Sequence, residues 1–333
     1  MIVIDADVLG RGRTGDETYL LNLLRELPVI APDLRFAAVT RHPELVPVGV
    51  EAIELAASSQ EQRMAWSFPR LLRRLKPDLA HFQYALPLGY RGRSVVTVHD
   101  LSFETDVGGM SRFERIVFRA VVPRAVKRAN AVFVVSERTK RDVISHYGTA
   151  ESRLVVTPNG VDPRYTPGLG SHDYVLFVGA IHSRKEPLAA LAAARDVGLP
   201  LVVAGPARDE ALASALRAGG ADLRGYVTPD ELLGLYRGAA ALVLPSRFEG
   251  FGLPVAEAMA CGTPVVLSSE PALREVAGEA GVYAVDGDYS AALRQALSER
   301  AERSALGVAR AAQFTWAETA RKTAATYREV LAQ

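Results

Sequence analysis

One cysteine, Cys261, stands in a chain of 333 residues, so no intrachain disulfide and no cysteine-built metal centre can form. It lies in an apolar run, where a thiol behaves as a small core hydrophobe. No stretch approaches the roughly 18 apolar residues of a membrane-spanning helix. The opening residues, MIVIDADVLGRGRTG, lack the basic-then-apolar order of a secretory leader. These absences predict a cytoplasmic protein. Charge of one sign is also missing. The net charge is +1, with a mildly basic first half and a mildly acidic second, which argues against a nucleic-acid partner. Low-complexity tracts and short repeats are absent too. With 49% hydrophobic residues, the chain is long enough for two cores.

What is present is an alternation. Short, continuously apolar segments predict strands at 2–5, 35–40, 78–82, 94–99, 131–136 and 154–157. Amphipathic stretches between several of them predict helices at 17–27, 61–75, 112–128 and 137–147. The turn-rich segment from Thr157 to Gly170 interrupts the pattern and reads as a linker and hinge. The alternation then resumes from Tyr174 and ends in an amphipathic helix from about Trp316 to Leu331. Two consecutive α/β units with doubly wound parallel sheets are expected. In such sheets ligands bind beyond the carboxyl ends of the strands, so the strand-to-helix loops are where chemistry is sought.

The richest loop is Pro245-Ser-Arg-Phe-Glu-Gly-Phe-Gly-Leu-Pro254, which leads into the helical segment ending at Gly262. Gly250 and Gly252 admit close backbone approach, and a helix N-terminus favours a diphosphate. Glu249 and Glu257, eight positions apart, suit pairs of sugar or ribose hydroxyls. Arg184 and Lys185 follow the first strand of the second unit, where adjacent cations would clamp a diphosphate. His99 ends an apolar strand of the first unit, in Val95-Val-Thr-Val-His-Asp-Leu-Ser102. The glycine-containing segment Arg11-Gly-Arg-Thr-Gly15 follows the first strand, with Asp16 and Glu17 expected to complement the helix dipole. Asp5 and Asp7, or Asp286 and Asp288, have the spacing of metal-binding aspartates, but each pair reads better as ordinary strand-end or turn polarity.

These strings resemble the retaining family 4 of glycosyltransferases over nearly the whole chain, most specifically in the second unit. The resemblance implies the GT-B fold, two Rossmann-like domains facing a cleft. It implies an acceptor-side domain over 1–163, a donor domain over 168–314, and a helix at about 315–333 packing back on the first. By the same resemblance His99 and Glu249 meet the reacting sugar. Gly15, Arg184, Lys185, Gly250, Phe251, Gly252 and Leu253 hold sugar and diphosphate. Glu257 binds ribose, and Tyr226 and Val227 flank the base. The family pattern has Asn after the Arg-Lys pair, whereas this chain has Glu186, which receives no ligand role.

A metal-independent hexosyl transfer is therefore expected, needing no cofactor and leaving donor and acceptor open. GDP-mannose or a UDP-hexose would give the sugar, and a sugar, a lipid-linked glycan or a small molecule would receive it. Lys185→Ala should cut turnover by orders of magnitude with the fold intact. Two other readings stay open: a nucleotide-sugar 2-epimerase of the same fold, and a non-catalytic sugar-nucleotide binder. The basic amphipathic stretches 63–76 and 112–128 either pack on the first sheet or dock peripherally on anionic lipid at the inner membrane face. Oligomeric state is not legible.

Overall fold

The computed structural model describes residues 1–12, 14–57, 59–105 and 111–333. The chain forms two compact units. The first takes Met1–Leu101, Arg112–Gly160 and Trp316–Gln333. The second takes Val161–Thr315 with the described residues of 102–111.

In the first unit seven strands run parallel: β1 (Ile2–Asp5), β2 (Phe36–Thr40), β3 (Glu51–Glu54), β4 (Leu79–Gln83), β5 (Ser94–Val98), β6 (Ala131–Val134) and β7 (Leu154–Val156). Their order is β3-β2-β1-β4-β5-β6-β7, the doubly wound order with its reversal beside β1. Ile2 pairs with Phe36 on one side and Leu79 on the other, so β1 is fully interior. The second unit repeats the plan with β8 (Tyr174–Val178), β9 (Leu201–Ala204), β10 (Asp222–Gly225), β11 (Ala239–Leu244), β12 (Val265–Leu267) and β13 (Gly281–Tyr283), ordered β10-β9-β8-β11-β12-β13. The central strands of both units are buried along their whole length, which is why they read as unbroken apolar runs.

Where expectation and structure differ, the cause is local. β3 was not expected: its sequence Glu-Ala-Ile-Glu is short, charged and mostly exposed, as an edge strand allows. The first helix continues through Pro28 to Ile30 instead of ending at Leu27. The helix expected at 61–75 contains a π-helical turn, Arg63–Ser67. Arg63 starts this turn and is wholly buried, its guanidinium 2.6 Å from Asp5 at the end of β1.

The segment expected to be a linker is mostly packed down. From Val161 onward it belongs to the second unit. Arg164 bridges Asp162 and Asp230, and the Tyr165 ring meets Tyr236 edge-on at 5.7 Å. A β-carbon at Gly170 would lie 2.0 Å from the carbonyl oxygen of Arg237, so that position must be glycine. The last helix, Trp316–Ala332, is part of the first unit. Buried Tyr327 reaches His81 on β4, and Thr319 donates to the Pro158 carbonyl.

Candidate functional site

The second unit carries most of the chemistry, at the carboxyl ends of β8, β9 and β11. Beyond β8 the chain turns through Gly179, at φ +141°, into a single helical turn, Ser183–Lys185. The Lys185 side chain folds back against this glycine, so a β-carbon at 179 would sit 3.0 Å from Lys185 Cδ. Gly205, after β9, is equally constrained, because a β-carbon there would meet the Gly179 carbonyl oxygen at 2.2 Å. Gly179 thus leaves room for the lysine, and Gly205 leaves room for the backbone of Gly179.

Lys185 Nζ donates to Glu249 Oε1 at 2.8 Å, and both groups are about nine-tenths buried. Burial pushes the Glu249 carboxyl up, but the Lys185 and Arg184 charges outweigh it and hold it at about 2. Glu249 is therefore a buried, ionised and paired group, not a solvated loop charge. Arg184 donates to the Phe248 carbonyl at 2.5 Å, while the Arg247 N–H donates to the Arg184 carbonyl at 2.9 Å. These contacts join the two loops, and Arg184 spends one donor on holding Glu249 in place. Glu186 sits at φ +47°, a left-handed conformation that suits asparagine better than glutamate, and pairs with Arg247 at 3.1 Å.

The loop after β11 turns at Gly252, φ +101°, into the helix Leu253–Ala260. A β-carbon there would also strike Leu273 at 2.7 Å. The Phe251 ring is buried edge-on against Phe314 at 5.5 Å, so of the expected contacts at 251 only its backbone is available to a ligand. Leu253 opens the helix and Gly250 precedes the turn. Glu257, inside that helix, is buried, and its Oε2 accepts from the Tyr236 hydroxyl at 2.8 Å. Burial pushes its carboxyl up to about 7. Tyr226, at the end of β10, leaves its ring 68% exposed, with Val227 half-buried beside it.

Three neighbours were missed in the sequence. His182 lies just before Arg184 and Lys185. Burial, then those two charges, bring its imidazole down to about 4, and its Nδ1 is buried without a hydrogen-bond partner among the described residues. Arg208, exposed after β9, adds another positive charge felt by His182. Tyr236, in the helix Pro229–Gly238, is the third. A histidine two residues before an Arg-Lys pair was a usable signal. The other two carried none, because nothing in sequence brings Tyr236 to Glu257.

In the first unit His99 directly follows β5. Its Nε2 is 2.9 Å from Gln83 Oε1, and its ring packs between Tyr19 (4.8 Å, edge-on) and Tyr84 (5.6 Å). Its Nδ1 is 3.9 Å from Asp16 Oδ1. Gly15 lies in the first turn of the helix Thr14–Ile30; among the described residues nothing beyond its chain neighbours and its own helix backbone comes within 4 Å of where a β-carbon would stand. The glycines that need positive φ in this loop are Gly10 and Gly12. Glu17 does more than complement the dipole: its carboxylate accepts the Gly10 N–H at 2.7 Å and ties the loop to the helix.

The aspartate pairs behave as ordinary structure. Asp5 is held by Arg63, Asp7 by Arg41 at 3.0 Å and Arg11 at 3.2 Å, and Asp288 caps the helix Tyr289–Ser298. Among the described residues no three His, Cys, Asp or Glu side chains are grouped to hold a metal ion. No helix of the described residues is long and apolar enough to cross a membrane. In the helix Arg112–Arg128, Val122, Ala125 and Val126 are buried, while Phe113 and Ile116 are each 67% exposed.

Comparison with known proteins sharpens this picture. The Glycosyltransferase Family 4 domain matches residues 14–165, and the Glycosyl transferases group 1 domain matches residues 172–302. The chain is 29% identical over 314 residues to O-antigen chain mannosyltransferase B of Escherichia coli, covering 85% of this chain and 80% of that protein. It is 36% identical over 243 residues to D-inositol 3-phosphate glycosyltransferase of Geodermatophilus obscurus, covering 61% of this chain and about half, 53%, of that relative. Among solved structures, sucrose-phosphate synthase from Thermosynechococcus elongatus superposes with a TM-score of 0.80 over 99% of both chains at 18% identity. HepE from Anabaena, in complex with UDP and glucose, superposes with a TM-score of 0.74 over 98% of this chain and 99% of its own at 15% identity.

Proposed function

The chain belongs to glycosyltransferase family 4 and contains both domains of a GT-B enzyme, and from that premise we propose that it transfers a hexose, of mannose or glucose type, from a nucleoside diphosphate to an acceptor hydroxyl. On this reading the anomeric configuration is retained and no metal ion takes part. The observation that carries the reading is the buried Lys185–Glu249 pair, with Lys185 folded against Gly179 and Glu249 in the loop that leads into the helix Leu253–Ala260.

The chemistry follows from charge. The bond between the anomeric carbon and the leaving oxygen breaks, and its electron pair stays on the diphosphate. Buried Lys185, half-buried Arg184 and the amides around Gly252 would stabilise that charge from positions fixed before the reaction. Glu249, ionised and tethered, would then orient sugar hydroxyls. The acceptor hydroxyl would attack the same face of the sugar and pass its proton to the departing diphosphate oxygen, and His99 is the first unit's candidate for orienting the acceptor side. Glu257 would accept the ribose hydroxyls, and Tyr226, with its open ring, would lie against the base. The mannosyl transfer named for the E. coli relative supports a mannose-type sugar, while the UDP and glucose bound by HepE support a UDP-hexose. The exposed Phe113 and Ile116, among the arginines of helix Arg112–Arg128, support peripheral docking on anionic lipid, where a lipid-linked acceptor would be met.

The test is a thermal-shift screen against UDP, GDP, ADP and dTDP, with and without magnesium. A ligand that binds only the native state raises the melting temperature. One nucleotide should stabilise the protein by several degrees irrespective of magnesium. A shift that appears only with magnesium would overturn the metal-independent reading, and no shift with any of the four would overturn the donor site.

A further inference from the structure

Glu257 is held in an unusual way for a ligand-binding carboxylate. It is buried inside the helix Leu253–Ala260, and its carboxylate's only hydrogen bond among the described residues comes from another helix: the Tyr236 hydroxyl donates to Oε2 at 2.8 Å. Oε1 has no protein donor among the described residues, yet it is not fully sealed from solvent. The donor helix is firmly anchored. Thr228 and Glu231 close a capping box at its start, and Pro229 takes its first position. At its end Thr263 donates to the Tyr236 carbonyl at 2.6 Å, and the Tyr165 ring packs edge-on against Tyr236. The hydroxyl therefore has one orientation and one partner.

We infer that Tyr236 is a positioning residue for the nucleotide: by occupying Oε2 it turns the Glu257 carboxylate so that Oε1 is presented to the ribose diol of a nucleoside diphosphate. This rests on the donor-site reading above and adds to it a residue that touches no substrate. The groups around the carboxylate are Tyr236, Tyr165, Cys261 and Asp162, the last paired with Arg164, with Arg237 nearby. Burial pushes Tyr236 well above its ordinary range and Cys261 up to about 12, so neither ionises near neutrality. Glu257, raised by burial to about 7, is the one that does, and the Tyr236 hydrogen bond pulls it down from a still higher value. A carboxylate accepts two hydroxyl hydrogen bonds, whereas the protonated acid offers a poorer partner to a diol. Ribose binding should therefore strengthen as pH rises through about 7.

The experiment is calorimetry on the full chain with UDP, GDP, ADP and dTDP and with the 2′,3′-dideoxy form of whichever ribonucleotide binds, between pH 5.5 and 8.5; binding of dTDP alone, which has no diol, would overturn the inference. Wild type should prefer the hydroxylated nucleotide, increasingly so at high pH. Tyr236→Phe keeps the ring packed on Tyr165. It should weaken binding of the hydroxylated nucleotide about tenfold, the scale of one lost hydrogen bond to a charged group. It should leave the dideoxy form nearly unaffected and move the pH midpoint upward. An unchanged preference and midpoint in the folded variant would overturn the inference while leaving the donor site standing. No nucleotide binding by wild type would overturn both. Wild type that binds without preferring the hydroxylated form would overturn the Glu257 assignment and this inference together, but not the diphosphate site. Should Tyr236→Phe fail to fold, 3-fluorotyrosine at position 236 replaces it. Its stronger donor should lower the pH midpoint, and an unmoved midpoint would overturn the inference.

Discussion

Lys185 illustrates how a residue's setting changes what its removal means. In sequence it is half of a cationic pair that alanine could replace without harm to the fold. In the structure it is the counter-charge of a buried carboxylate. Lys185→Ala would leave Glu249 without its partner, a loss that typically costs about 3–5 kcal/mol. Glu249 is depressed to about 2 in the folded protein, so the stability it contributes is present above the ordinary carboxylate range and is lost as pH falls towards 2. The single variant should melt well below wild type at pH 7. Lys185→Ala combined with Glu249→Gln should recover most of that loss and none of the transferase activity. Thermal melts of both variants check this, and a Lys185→Ala protein as stable as wild type would show that the pair is not coupled. Arg184, Lys185 and Glu249 were legible because charge in a strand-to-helix loop has few structural uses, although the same reasoning passed over Arg208. The glycines at 179 and 205 were not, because the need for them arises from a lysine and a strand that fold against them.

At the scale of elements, the closing helix Trp316–Ala332 shows what links distant segments. Tyr327 lies 2.6 Å from His81 Nδ1 on β4, and His81 Nε2 lies 2.7 Å from Thr97 Oγ1 on β5, which in turn meets the Tyr19 hydroxyl at 3.1 Å. Burial brings His81 down to about 3, so it is neutral at physiological pH and each ring nitrogen needs a partner. Tyr327→Phe removes one such partner and should destabilise the protein by about 1–3 kcal/mol, the usual cost of orphaning a buried polar group. Urea unfolding measures it, and a loss below about 0.5 kcal/mol would mean that packing alone holds the helix. Its amphipathic spacing was readable in the sequence, but its partners were not, since His81 lies 246 positions before Tyr327. Edge strand β3 and the π-helical turn escaped for a related reason: both are shaped by tertiary needs, an open sheet edge and a buried Arg63–Asp5 pair, that leave no periodic trace.

For the whole molecule, the question is where it works. If the helix Arg112–Arg128 meets anionic lipid, the protein should float with vesicles rich in phosphatidylglycerol at low salt and stay behind at high salt, where surface attraction is screened. Replacing Phe113 and Ile116 with serine should abolish flotation without lowering the melting temperature, because both side chains are mostly exposed. Wild type that does not float would remove lipid docking from the proposal.

The sequence by itself determined the two α/β units, because strands buried on both faces must be apolar throughout and the helices between them must be amphipathic. It also determined which loops carry ionisable groups, since chain order assigns each loop to a strand end. Tertiary structure alone decided how those groups are set: that Lys185 neutralises Glu249, that Arg184 holds the Phe248 carbonyl, and that Tyr236 turns Glu257. Each of these joins positions 21 to 64 residues apart, and burial gives each its energetic weight. Neither the separation nor the burial is written in the local pattern of residues, because both arise only when the sheet assembles.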